Sequence, residues 1–286
     1  MASIQNFALG EDTYPVEDAA AQQLANGTYP GRDLAVAFAD EIKAAGNAWA
    51  WLKGRAQAAN FDGIRIGDWL SSTPTGMVKV NWLVAGLDTY YQCGDQPMGH
   101  HVVMIAGAPI AVVGDEWQAN ADSPGYLKWN LTDTNNGTEE QQYPYLGSNL
   151  HKWETEALLP ALPAEQQAAL MERRDYLEKR YSSSGAASTA TGFYWASLGK
   201  VWSPCEMEVY GCTVWNTNGA CVGINCQLPI FRKSADRINA SRVSWWLRSP
   251  QGGSASAVCY VDSGGLARAY AASGTWVRPR PCFLVG

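Results

Sequence analysis

Hydrophobic and polar positions along this chain change period several times. Residues 33–60 (DLAVAFADEIKAAGNAWAWLKGRAQAAN) are Ala-rich, with apolar residues at Leu34, Val36, Phe38, Ile42, Trp49 and Leu52. This spacing predicts one or two amphipathic helices broken at Gly46. From Ile64 the pattern shortens into IRIGDW, MVKVNWLVAGLDTYY and HHVVMIAG, rich in β-branched and aromatic residues and separated by Gly and Pro, as strands are. A second helical tract runs from Ser148 to Tyr181, divided by Pro160 and Pro163, and SSSGAASTATG after it reads as a surface loop. The remainder returns to strand-like pieces: GKVWSPCEMEVYG, WWLRSP at 245–250, SASAVCYV and LARAYA. The expected fold class is α+β, with helices covering a mostly antiparallel sheet. We divide the chain into an N-terminal, partly helical segment (1–60) and a main domain (61–286).

Composition narrows the function. With 286 residues and 47% apolar content the chain can bury a substantial core. A net charge of -6 and a pI near 5.1 disfavour a nucleic-acid partner, which needs clustered Lys and Arg. The opening MASIQNFALGED lacks the basic-then-apolar order of a signal peptide, and no apolar run approaches the roughly 20 residues that span a bilayer, so no membrane insertion is expected. Thirteen tryptophans read mainly as core filler. Seven cysteines without a Cys-x-x-Cys pair, and only three histidines, predict no metal and no cofactor. The spacing of Cys205, Cys212, Cys221 and Cys226 leaves a disulfide open.

Two constellations invite chemistry. His100 and His101 lie near Cys93 and Asp95, but neighbours on a strand face opposite ways, so at most one histidine serves any site. The tract NLTDTNNGTEE (130–140) offers Asp133, Asn135, Asn136 and Glu139 as oxygen ligands for calcium; it lacks the EF-hand spacing and reads as a polar turn. Neither makes an enzyme. A third feature is compositional: Gly252 to Thr275 contains no Trp, Gln, Lys, Glu or Met, the longest such gap in the chain.

The sequence SRVSWWLRSP (241–250), the alternating stretch after it and Val277-Arg278-Pro279 resemble the C-terminal module of variable proteins diversified by retroelements, many encoded by phages and prophages. VNWLVAGLDTYYQCGD, YLGSNLHKWETEALLPAL, KVWSPCEMEVYG and LPIFRKSADRIN extend the likeness over roughly residues 62–286. The resemblance implies a C-type-lectin-like domain that displays hypervariable side chains without catalysis. Retroelement copying mutates adenines, so an Asn-type codon whose third base stays C never yields Trp, Gln, Lys, Glu or Met, which matches the gap. This chain departs from the family in having Trp276 where Gly usually precedes Val-Arg-Pro, and Arg280-Pro281 after it.

On this reading the ligand-binding residues are Ser254, Ser256, Tyr260, Asp262, Ser263, Leu266, Arg268, Tyr270 and Ser273, within a variable region of about 244–276. Trp245, Trp246, Leu247, Arg248 and Arg278 form a fixed anchor, with Arg248 bonding carbonyls or a carboxylate. The implied partner is a protein or glycan receptor on a target cell. The chain would serve as a virion or tail component or in soluble form, with residues 1–60 for virion attachment or homo-oligomerisation. Two alternatives keep the fold: an oxidase resembling formylglycine-generating enzymes, with copper on a pair among the four cysteines named above, or an invariant carbohydrate-binding lectin. For the latter, WNL at 129 and WNT at 215 stop short of a Trp-Asn-Asp calcium motif.

Overall fold

The structure is a computed structural model and describes residues 6–9, 12–15, 23, 29–216, 226–239 and 241–286. Strands β1 (Asn6–Leu9) and β2 (Asp12–Pro15) form an antiparallel hairpin. Three short helices follow: α1 (Leu34–Ala37), α2 (Ala39–Ala45) and α3 (Ala48–Gln57). Their ends are set locally. Asp33 caps α1 by accepting from the Ala35 amide, and Asn47 caps α3 by accepting from the Ala50 amide at 2.8 Å. Between α2 and α3, Gly46 takes φ +88°, a conformation other residues resist.

These helices share the core of the main domain. Leu34, Trp49, Trp51, Leu52 and Ala56 are buried in one cluster with the sheet, and the Trp49 ring meets Phe283 edge-on at 5.9 Å. The boundary drawn at residue 60 therefore passes through a single packed unit. Strands β3 (Trp69–Ser72), β4 (Val80–Leu87), β5 (Val102–Ala106), β13 (Cys282–Val285) and β6 (Leu170–Met171) lie in that order, all antiparallel, and β9 (Val201–Trp202) also pairs with β13. The C-terminal strand is thus central, and all four of its residues are buried. A second ladder joins β7 (Arg173–Lys179) to β8 (Gly192–Gly199); a third runs β10 (Trp245–Pro250), β11 (Ala257–Val261), β12 (Ala267–Ala271). The α+β class with mostly antiparallel strands holds.

Two elements differ from the expected ones. The helical tract from Ser148 stops by Gln167, and Arg173–Lys179 is a strand. Its good helix formers are overruled because Arg173, Asp175 and Leu177 alternate into the interior, where the two charges find partners. Conversely, the strand-like stretch 199–211 contains helix α4 (Glu206–Tyr210), whose N-terminus is closed by the Glu208 carboxylate accepting from the Cys205 amide at 2.9 Å.

Candidate functional site

The WWLRSP strand is buried along its whole length. Both of its tryptophans satisfy their indole N–H. Trp245 Nε1 donates to the Arg237 carbonyl (3.0 Å) and Trp246 Nε1 to the Leu127 carbonyl (2.6 Å). The Leu247 carbonyl accepts from Trp129 Nε1 at 3.0 Å. Trp245 also stacks on Phe231 at 5.7 Å and lies under the Arg280 guanidinium at 4.9 Å. Arg278 joins this strand through its backbone: its amide donates to Ser244 (3.1 Å), and its carbonyl accepts from Trp246 (2.9 Å).

Arg248 enters a buried charge network. It donates to the Ser203 carbonyl (3.0 Å), to Glu208 (2.6 Å) and to Asp175. Arg173 bridges the same carboxylates, Glu208 at 2.6 Å and Asp175 at 3.0 Å, while its guanidinium lies 3.9 Å over Tyr90. Two buried cations thus face two buried anions. Burial opposes the charge on Glu208, but Arg173 and Arg248 outweigh it and hold the carboxyl well below the ordinary range. Sequence reading singled out Arg248 alone; its partners come from β7 and α4, far along the chain.

From this base the hairpin β11–β12 extends outward. Its turn is built by Asp262, whose Oδ1 accepts from the Gly264 and Leu266 amides (2.9 Å each) and whose Oδ2 accepts from Arg268 Nε at 3.2 Å. Burial works against the charged form, yet these donors hold the Asp262 carboxyl below its usual value. Gly265 closes the turn at φ +81°, where a Cβ would also press on Ile238 at 2.9 Å. Asp262 therefore shapes the turn as well as lying on it.

Strand β12 alternates, with Arg268 and Tyr270 exposed and the alanines between them half-buried. Register places Arg268 beside Tyr260 and Tyr270 beside Val258. Tyr260 does not share that exposure: it is 8% exposed. Trp246 (6.1 Å), Trp276 (5.1 Å) and Tyr270 (6.5 Å) surround its ring, all edge-on. Trp276 packs on Tyr270 at 4.9 Å. Trp276 thus roofs Tyr260, and an aromatic chain runs from the anchor to the surface. The outer face comprises Leu266 (56% exposed), Arg268, Tyr270 (41%) and Trp276 (37%), with Ser263 exposed at the turn.

The other predicted serines have structural duties. Ser254 Oγ accepts from the Ser256 and Ala257 amides at 3.2 and 3.1 Å, leaving Ser256 exposed, and Ser273 bonds Asp133 through its amide (3.1 Å) and hydroxyl. Two clamps unforeseen from sequence hold the loop before β11. Asn135 Nδ2 donates to the Ser254 (2.9 Å) and Ala257 carbonyls, and Arg180 donates to Gln251 (2.8 Å) and Ser254 (2.9 Å). The 130–140 tract therefore grips the hairpin with its amides. On the outer edge of β12, Trp215 Nε1 donates to the Ala267 carbonyl at 3.0 Å. Its loop is fixed by the buried Glu206 carboxylate, which accepts from the successive amides of Val214, Trp215 and Asn216 at 2.9–3.1 Å. Val214 and Trp215 extend the exposed apolar face beyond the predicted window.

Elsewhere, His100 pairs with Asp88 (2.6 Å), while His101 bonds the Gly99 carbonyl (2.8 Å) and accepts from the Tyr90 amide (3.2 Å). Cys205 is buried, Cys212 exposed and Cys226 half-buried; Cys221 lies outside the described residues. Among the described residues, no three His, Cys, Asp or Glu side chains group as a metal site, and no helix is long and apolar enough to cross a membrane.

No curated protein and no solved structure matches this chain. A family model described as a domain of unknown function, DUF6273, matches residues 126–285, more than half of the sequence and the whole of the anchor, clamps and hairpin. The chain belongs to the DUF6273 family.

Proposed function

We propose that this protein binds ligand through the outer face of the β11–β12 hairpin, as a retroelement-diversified variable protein on a C-type-lectin-like domain. One observation carries the reading. The stretch free of Trp, Gln, Lys, Glu and Met coincides with a hairpin whose outer strand alternates outward side chains with small inner ones, directly after a fully buried strand. A surface meant to tolerate arbitrary side chains must take its rigidity from elsewhere, and here Trp245, Trp246 and Arg248 supply it. Exposed Tyr, Trp, Arg and Leu are the residue types from which binding hot spots are made.

On this proposal the ligand is a receptor on a target cell, the protein acts in soluble form or on a virion, and no catalysis is involved. The DNA beside the gene tests it. A near-copy of the codons for 244–276, differing where that copy has adenine and accompanied by a reverse-transcriptase gene, is expected; flanking DNA with neither removes the diversification claim.

A further inference from the structure

An open groove of about 790 Å³ lies away from the hairpin, between the β3–β4 edge and residues 107–111. Its walls are mixed but mainly apolar, with Trp69, Val78, Leu83 and Ile110 among them, and Val78 stands 67% exposed at the rim. The volume falls within the range of small-molecule sites. Two cations line it, Lys79 and Arg278.

Arg278 is the unusual member. Its guanidinium rests over the Tyr126 ring at 4.8 Å, and its buried Nε has no hydrogen-bond partner. Among the described residues no carboxylate pairs with it. The other deeply placed cations differ: Arg173 and Arg248 have carboxylates, and Arg280 donates to the Ala106 and Asp236 carbonyls at 2.9 and 2.8 Å. A half-buried guanidinium without a counter-charge, beside apolar walls, is complementary to a molecule with an apolar body and one anionic head.

We propose that this groove binds an amphipathic carboxylate, its body along Trp69, Leu83 and Ile110 and its head on Arg278. The site is separate from the hairpin surface and does not depend on the recognition reading. Because the Arg278 backbone holds Ser244 and Trp246, the side chain can be replaced while these backbone hydrogen bonds remain.

The test titrates decanoate, decanol and acetate into the ¹⁵N-labelled full chain, following the Trp69 indole and Arg278 Nε–H signals with parallel calorimetry. Decanoate is expected to saturate and shift both signals, with decanol and acetate each at least roughly tenfold weaker. Arg278→Gln should weaken decanoate by about the same factor. Val78→Asp, at a position exposed on the rim, should weaken it too by opposing its charge. Absence of a saturable shift at Trp69, equal binding of decanol, or unchanged decanoate affinity in either folded variant would overturn the proposal.

Discussion

Tyr260 marks where the fixed part of the hairpin ends. By sequence it sits on an alternating strand beside residues that face solvent; in the structure Trp246, Tyr270 and Trp276 enclose it. Its burial was not legible, because the ring that roofs it lies beyond the next strand. Trp246→Ala should cost about 3–5 kcal/mol, and Tyr260→Ala about 2–4 kcal/mol, in urea denaturation. Leu266→Ala and Arg268→Ala should each stay within about 0.5 kcal/mol of the parent. Arg248→Met leaves Glu208 and Asp175 with one cation fewer and should cost about 3–5 kcal/mol.

Glu154 gives a residue-scale pH dependence. Burial pushes its carboxyl up from 4.5 to about 8, although the Ser203 and Tyr145 hydroxyls and Arg248 pull the other way. The folded state then keeps a proton that the unfolded chain releases near pH 4.5. Its stabilising contribution is full below that pH, is lost as pH rises through about 8, and changes no further above. Between pH 5 and 8.5 the parent should therefore lose on the order of 3 kcal/mol relative to Glu154→Gln, read from unfolding curves at both pH values. Parallel curves would rule out this contribution.

At the scale of elements, the hairpin is held by parts distant in sequence. Asn135 and Arg180 bind the loop before β11, and Glu206 binds the Val214–Asn216 turn against β12. Asn135→Ala should cost about 1–3 kcal/mol. Glu206→Gln should speed amide hydrogen exchange at Val214, Trp215 and Asn216 while exchange in β13 stays slow; equal acceleration in both would mean that Glu206 supports the whole fold. The helix break at Gly46 and the buried WWLRSP strand were legible because local chemistry determines them, through a positive φ in one case and large apolar side chains in the other. The strand at Arg173–Lys179 and helix α4 were not, since buried ion pairing between distant residues decides both. The 130–140 tract showed its oxygen-rich composition, but its use as an amide clamp needed the loop it grips.

Across the whole molecule, one core joins the N-terminal helices, the central C-terminal strand and the anchor, and leaves the hairpin face outside it. On the proposed function, that separation would let stability and recognition vary independently. The direct test is a pair of libraries in the full chain, sorted for protease resistance and then for binding to target cells. One randomises Ser263, Leu266, Arg268 and Tyr270; the other randomises Trp245, Trp246, Leu247 and Arg248. Most members of the first are expected to stay folded and differ in what they bind, whereas the second should return almost only near-parental sequences. Equal loss of folded members from both libraries would contradict the separation of anchor and binding face.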